Sequence, residues 1–144
     1  MSRLGDIPIR IESMESPVPD RPDGGLGGAI DAVLSEIASL LERLAKNDEH
    51  SMIDLRSLPL SQADRAALQS ALGDGEVHAT LQAVGRSTAR ETRFAGVWWL
   101  EHRDPAGDLV AELLEVARFP QILASAPDEI ADAAKALRSH RRLQ

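Results

Sequence analysis

Three of the four aromatic residues in this 144-residue chain lie within one stretch, residues 91–99, with the sequence ETRFAGVWW. The fourth is Phe119. A core with so few aromatic rings is built mostly from aliphatic side chains, so the adjacent Trp98 and Trp99 concentrate a large apolar area at one point. Because neighbouring side chains of a β-strand point to opposite faces of a sheet, the fold must accommodate one indole on each face.

The composition excludes several classes of chemistry. A chain without cysteine supplies neither a thiol nucleophile nor cysteine ligands for zinc or an iron–sulfur cluster. Its net charge of −7 repels phosphate backbones, so we expect no nucleic acid partner. Residues 1–15 lack a basic start followed by an apolar run, which predicts neither a signal peptide nor membrane insertion and favours a cytoplasmic location.

The chain divides into an arm and one domain. Residues 1–25 contain four prolines and end in two glycines, which predicts an extended, flexible N-terminal arm. Residues 26–144 are long enough to form a single domain with its own core. A long first helix is predicted by apolar residues at helical spacing: Ile30, Val33, Leu34, Ile37, Leu40, Leu41 and Leu44.

The remaining pattern predicts an α+β fold. A second helix is capped by Ser61 and ends at Gly73, and a closing helix would bury a stripe at Ile130, Ala133, Ala134 and Leu137. Strands are predicted at residues 51–55, 77–83, 88–103 (bent, with a bulge near 94–96) and 108–117. We therefore predict an antiparallel β-meander of about three to four strands packed against three α-helices in a single domain.

The last two predicted strands assign side chains to two faces. Trp98, Leu100, Leu109, Ala111 and Leu113 share one face, and Val97, Trp99, Glu101, Val110, Glu112 and Leu114 share the other. The first set is apolar and is expected to be core. On the second, Trp99 stands among carboxylates, which is typical of the rim of a partner-binding site. The alternative is that helices cover both faces and both tryptophans are core.

The polar residues indicate no catalytic or metal site. The four histidines, His50, His78, His102 and His140, lack the spacing of metal ligands, and no cofactor motif is present. Glu91 and Arg93 lie on one side of the same predicted strand, where a surface ion pair is favoured over a ligand site. The rival hypothesis is an enzyme or small-molecule-binding domain that uses Glu91, Arg93 and His102 in a pocket.

Several segments resemble a known family. Residues 53–60 (IDLRSLPL), 75–77 (GEV), 91–99 (ETRFAGVWW) and 115–118 (EVAR) look like the HupH/HyaF hydrogenase expression protein family, and the resemblance runs from about Ala29 to the C-terminus. It implies an accessory protein in nickel–iron hydrogenase maturation, associated with the iron–sulfur small subunit and encoded beside a thioredoxin-like companion. It implies no catalytic residues, and many relatives carry this region as the C-terminal part of a longer chain.

The combined expectation is a chaperone-like protein that binds the hydrogenase small-subunit precursor. The expected binding surface comprises Glu91, Arg93, Phe94, Gly96, Val97, Trp98 and Trp99. Within it, Phe94, Val97 and Trp99 make the contact, since aromatic side chains dominate interface energetics, and Glu91 and Arg93 orient it. The thioredoxin-like companion is a further expected partner, and a homodimer through the arm or an uncovered face is left open.

Overall fold

The computed structural model describes residues 26–142, so the predicted arm at residues 1–25 lies outside it. Within that range, three α-helices and five β-strands follow one another. The elements are α1 Leu26–Asn47, β1 Ser51–Asp54, α2 Gln62–Leu72, β2 His78–Ala83, β3 Gly85–Glu91, β4 Val97–Arg103, β5 Leu109–Val116, a 3₁₀ turn at Gln121–Leu123 and α3 Pro127–Arg142. The predicted α+β class is confirmed, with one strand more than expected.

The strands form one antiparallel sheet in the order β1-β5-β4-β3-β2. Strands β2 to β5 make the predicted meander, and β1 pairs with β5 at its edge. The prediction of a single bent strand over residues 88–103 is wrong, because the chain reverses at residues 92–96 and β4 returns beside β3. This reversal places β4, with both tryptophans, at the centre of the sheet.

Local sequence explains how α2 begins and ends. The Asp64 amide donates to Ser61 Oγ at 3.0 Å, and the Ser61 amide donates to Asp64 Oδ2 at 2.8 Å, which is the reciprocal capping box that the sequence predicts. At the other end, Gly73 has a φ of 66°, a conformation that favours glycine. Both ends of α2 are therefore set by capping residues in the local sequence.

Trp99 lies in the main core, on the sheet face that α1 and α2 cover. It packs with Val97 and Leu114 against apolar residues from both helices, and only 2% of it is exposed. From Val97 to His102, the register with β5 assigns side chains to the two faces as predicted. The expectation that Trp99 looks out from an open face is nevertheless wrong, because alternation separates two faces without saying which one the helices cover.

Trp98 is buried on the opposite face. Its cluster includes Ala89 and Leu100, and its indole N–H donates to the carbonyl of Ala117 at 3.1 Å. The Phe119 ring packs edge-on against it, with 6.2 Å between ring centroids. Both tryptophans are therefore core residues, as the alternative predicts, but the segment that follows β5 covers this face where the alternative expects a helix.

The terminal helix differs from its prediction. None of the residues of α3 is buried, and Ile130 and Leu137 are 57% and 63% exposed. The expected buried stripe at Ile130, Ala133, Ala134 and Leu137 is therefore wrong within residues 26–142. Helical periodicity specifies an apolar stripe but not the surface it packs against. Here α1 and α2 occupy one sheet face, and the segment after β5 covers Trp98 on the other.

The burial of Trp99 predicts a large effect on stability. Trp99→Ala should lower the free energy of unfolding by about 3–5 kcal/mol, because it removes a buried ring and leaves a cavity. The milder Trp99→Phe variant should remain folded, and its free energy of unfolding should fall by less. Urea titration monitored by circular dichroism measures both, and Val84→Ala is the control because Val84 is 81% exposed. A midpoint for Trp99→Ala equal to that of Val84→Ala would contradict the core position.

Candidate functional site

Glu91 binds backbone rather than a ligand. Its carboxylate accepts hydrogen bonds from the amides of Glu76 and Val77, at 3.1 and 3.3 Å. Its own amide donates to the Val77 carbonyl at 2.8 Å. The segment before β2 is thereby fixed to the end of β3. Glu91 serves to position the chain.

Arg93 reaches the C-terminal end of α2. Its amide donates to the Leu72 carbonyl at 2.9 Å, and its guanidinium donates to the Ala71 carbonyl at 3.4 Å. A cation at this end satisfies carbonyls that lack helical partners and complements the helix dipole. The favoured ion pair between Glu91 and Arg93 is therefore wrong: the two side chains bind separate backbone segments.

The turn at residues 92–96 depends on Thr92 and Gly96. The Thr92 hydroxyl both accepts from the Phe94 amide and donates to its carbonyl, each at 3.2 Å. Gly96 has a φ of 87°, and a Cβ there would lie 3.2 Å from Leu41 Cδ2. A side chain at position 96 would thus strain the backbone and crowd α1. The Gly96 carbonyl also accepts from the Ala117 amide at 3.0 Å, which joins the turn to the exit of β5.

Of the expected binding residues, Phe94 presents the most apolar surface. Val97, Trp98 and Trp99 are at most 4% exposed and belong to the cores, whereas Phe94 is 47% exposed. Three further large apolar side chains are half exposed on segments that meet the same end of the sheet: Met52, Phe119 and Ile122. We call Phe94, Met52, Phe119 and Ile122 the loop-end surface.

A cleft of about 630 Å³ opens at this end, between the last turns of α1 and the 92–96 turn. Leu41, Leu44, Ala95 and Gly96 supply its apolar and backbone lining, and Arg118 lies at its edge. The Arg118 guanidinium is 3.6 Å from the Asp48 carboxylate. The cleft therefore combines an apolar floor with a charged rim, which suits the side chain of a protein partner.

Most of this cleft is not indicated by the sequence. Leu41 and Leu44 belong to the periodic stripe of α1, which predicts a core position only. Arg118 ends the EVAR segment at 115–118, and Phe119 is the isolated fourth aromatic, so both carried a detectable pattern. Topology was needed to bring them together, because the end of α1 and the exit of β5 are distant in sequence.

The pocket of the rival hypothesis does not form. His102 accepts or donates a 2.6 Å hydrogen bond with Ser87, according to its tautomer, near the end of the β3–β4 pair opposite to Glu91. Ser87 is four residues before Glu91 on β3, about 13 Å along the strand. Glu91, Arg93 and His102 are thus engaged with different partners. Across residues 26–142, no three histidine or carboxylate side chains are grouped as metal ligands, and no helix is long and apolar enough to cross a bilayer.

An acidic pair lies beside Trp99 on the helix side of the sheet. Glu112 on β5 is directly opposite Glu101 on β4 and is 4% exposed. Burial raises the pKa of Glu112 above its usual value, and the neighbouring Glu101 adds to the shift. The Arg65 guanidinium, 3.4 Å away, opposes it, as does the nearby Trp99 indole. The net effect disfavours the charged form of Glu112.

Comparison with known proteins places the chain among hydrogenase accessory proteins. A family model described as HupH hydrogenase expression protein, C-terminal conserved region, matches residues 29–143. The hydrogenase expression/formation protein HoxQ of Azotobacter vinelandii is 31% identical over 123 residues, which cover 83% of this chain and 42% of that protein. The hydrogenase-1 operon protein HyaF of Escherichia coli K12 is 31% identical over 85 residues, 59% of this chain and 30% of that protein.

A solved structure extends the comparison to the fold. The hydrogenase expression protein HupH from Thiobacillus denitrificans ATCC 25259 has a TM-score of 0.78 and 39% sequence identity, covering 82% of this chain and 98% of that one. The chain spans less than half the length of the two curated relatives.

The raised pKa of Glu112 predicts a pH-dependent stability. The folded state binds this proton more tightly than the unfolded state does, so the free energy of unfolding falls as pH rises from the ordinary value of 4.5 through the raised pKa. Glu112→Gln, which stays neutral, should become progressively more stable than the wild type between about pH 4 and about pH 7.

Chemical denaturation across this pH range measures the difference, with Glu36→Gln on the exposed side of α1 as the control. The control should show no comparable trend. If Glu112→Gln instead lost stability as pH rose, pairing with Arg65 would outweigh burial, and the predicted direction would be refuted.

Proposed function

The chain belongs to the HupH hydrogenase expression protein family, and we propose on that basis that it is a non-catalytic accessory protein in nickel–iron hydrogenase maturation. Its task in this proposal is to bind a hydrogenase precursor, namely the iron–sulfur small subunit. A thioredoxin-like companion and a second copy of this chain are further proposed partners of the assembly.

The observation that carries the proposal is the loop-end surface. Phe94, Phe119, Met52 and Ile122 are each 45–52% exposed at one end of a chain that otherwise has a net charge of −7. Large apolar side chains exposed at one end of a charged protein are typical of protein–protein contact, and aromatic residues contribute strongly there. The cleft beside the 92–96 turn offers a place for an apolar side chain of the precursor.

Trp98 and Gly96 support this surface without contacting the partner themselves. Trp98 donates to the Ala117 carbonyl, so it positions Phe119, which packs edge-on against its ring. Gly96 lets the turn lie against Leu41 and Leu44, which sets the depth of the cleft. The buried residues of the 91–99 motif thus support the surface, and Phe94 makes the contact.

The lack of cysteine fits such a role. A protein without thiols neither competes through thiolates for the iron of an iron–sulfur precursor nor exchanges disulfides with it. This chain carries no thiol that could do either. Binding through apolar contacts leaves the cysteines of the precursor available for cluster assembly.

The proposal predicts that one exposed ring governs capture of the precursor. Phe94→Ala should weaken binding of the purified small-subunit precursor by about 30-fold or more, since loss of an aromatic anchor costs at least about 2 kcal/mol. Its free energy of unfolding should change by less than about 1 kcal/mol, because the ring is half exposed. A pull-down with quantified bound fraction and a urea titration provide the two measurements.

The matched control is Val84→Ala, an exposed apolar residue at the β2–β3 hairpin, at the other end of the sheet. Capture by the wild type and by this control, with loss in Phe94→Ala, would support the surface. Equal capture by all three would refute the role of Phe94. Failure of the wild type to capture the small-subunit precursor, while it captures the large-subunit precursor, would refute the choice of partner.

A further inference from the structure

A second concave region lies on the helix side of the sheet, away from the loop-end surface. A cavity of about 270 Å³ is lined by polar side chains of β2, β3 and β4 together with the Trp99 ring. The residues used below are Thr80, Arg86, Thr88, Arg90 and Glu101. A smaller cavity of about 170 Å³ shares Arg86, Thr88 and Glu101 with it and adds Arg103. We call the two cavities together the arginine groove.

The register explains why these side chains converge. Thr80 pairs with Thr88, Thr88 with Glu101, and Arg90 with Trp99. Directly paired residues of an antiparallel sheet project to the same face. On this face of the sheet, the part that α1 and α2 cover carries apolar residues. The part that forms the groove carries polar residues. Its floor is therefore a fixed β-surface rather than a flexible loop.

Arg90 is held in place at one end of the groove. Its guanidinium lies 5.8 Å from the centroid of the Trp99 ring, a cation–π arrangement. It is also 3.3 Å from the carboxylate of Asp74, which is exposed. A guanidinium oriented by a ring beneath it is already arranged to receive a second anion, because little side-chain freedom remains to be lost.

Arg86 and Arg103 are paired directly across β3 and β4 at the other end. Like charges in this position repel and destabilise a sheet. Arg103 donates to the Gly107 carbonyl at 3.2 Å and lies 3.5 Å from the Glu101 carboxylate. Among the described residues, no hydrogen bond or ion pair engages the Arg86 guanidinium. Arg86 is exposed and, within residues 26–142, unpaired, so its guanidinium is available to an external anion.

The charge of the groove is opposite to that of the chain. Arg86, Arg90 and Arg103 outnumber the two carboxylates near them, Glu101 and Asp74, whereas the whole chain has a net charge of −7. Arg86 and Arg90 are four residues apart on the same side of β3, which separates their backbones by about 13 Å. One small anion cannot span that distance. Two carboxylates about four residues apart on an extended peptide can.

We propose that the arginine groove binds an extended acidic peptide segment of a partner protein, with one carboxylate at Arg86 and Arg103 and another at Arg90. The Thr80 and Thr88 hydroxyls lie between the two charged ends and hydrogen-bond the peptide backbone. This site is independent of the loop-end surface, so either can fail in experiment while the other stands.

The test uses a fluorescein-labelled peptide of eight alternating glutamate and serine residues, titrated with the full chain and followed by fluorescence anisotropy at low ionic strength. Arg86→Gln should weaken binding by about tenfold, because it removes one charge-assisted hydrogen-bonding group. Arg43→Gln is the matched control: it removes the same charge from α1, where Arg43 pairs with Glu36 and Glu49. The control should bind within about twofold of the wild type.

A second readout separates a binding role from a structural one. Arg86→Gln should raise the thermal midpoint of the free protein, since it removes the repulsion from Arg103, while it lowers affinity for the peptide. If Arg43→Gln weakened peptide binding as much as Arg86→Gln does, the peptide would be attracted by overall charge and the proposal would be overturned. Unchanged peptide binding in Arg86→Gln would overturn it as well. If inorganic phosphate displaced the peptide at equal concentration, the groove would be a site for small anions, and the proposal of a peptide ligand would be overturned.

Discussion

The fold depends on burying two adjacent indole rings on opposite faces of its central strand. Trp99 is covered by α1 and α2, which precede β4 in the chain, and it completes a cluster with Val97 and Leu114. Trp98 faces the other way and is covered by the chain that leaves β5, through the Ala117 carbonyl and the Phe119 ring. Because a strand alternates, neither covering could be omitted without exposing a tryptophan. One dipeptide thus requires cover on both sides of the sheet.

The turn before this dipeptide connects the rest of the domain to it. Glu91 fixes the entry to β2, Arg93 closes the end of α2, and Gly96 lies against α1. These contacts reach the end of α1 and, about 30 residues later in the chain, the segment that joins α2 to β2. The most distinctive stretch of the chain is therefore largely occupied with folding, and its half-exposed ring, Phe94, is left available to a partner. A sequence motif of this kind indicates a function only after its buried members have been separated from its exposed ones.

Much of the fold could be predicted because it is encoded locally. The stripe of α1, the Ser61–Asp64 capping box and the alternation in β4 and β5 each specify their own element. The reversal at 92–96 was predicted as a bulge, because both interpretations place a glycine in an apolar run, and only pairing with β3 distinguishes them. Which sheet face the helices cover, and whether α3 is exposed, depend on which surfaces pack together. Hydrophobic periodicity carries no information about that packing. For the same reason the sequence singles out Phe94 as a candidate contact residue but does not predict the cleft beside it.

Two pairs of like charges lie directly opposite each other on the helix side of the sheet, and both pairs lower its stability. Glu101 is paired with Glu112, and Arg86 is paired with Arg103, although exchanging one residue of each pair would give two favourable contacts. The acidic pair is compensated from within the protein, since Arg65 approaches Glu112 and burial disfavours its charged form. The basic pair borders the open groove, where Glu101 and the Gly107 carbonyl engage Arg103 but not Arg86. Arg86 is exposed, so water compensates its charge in the free protein, and in the proposed complex a carboxylate of the peptide replaces that water beside a preoriented Arg90.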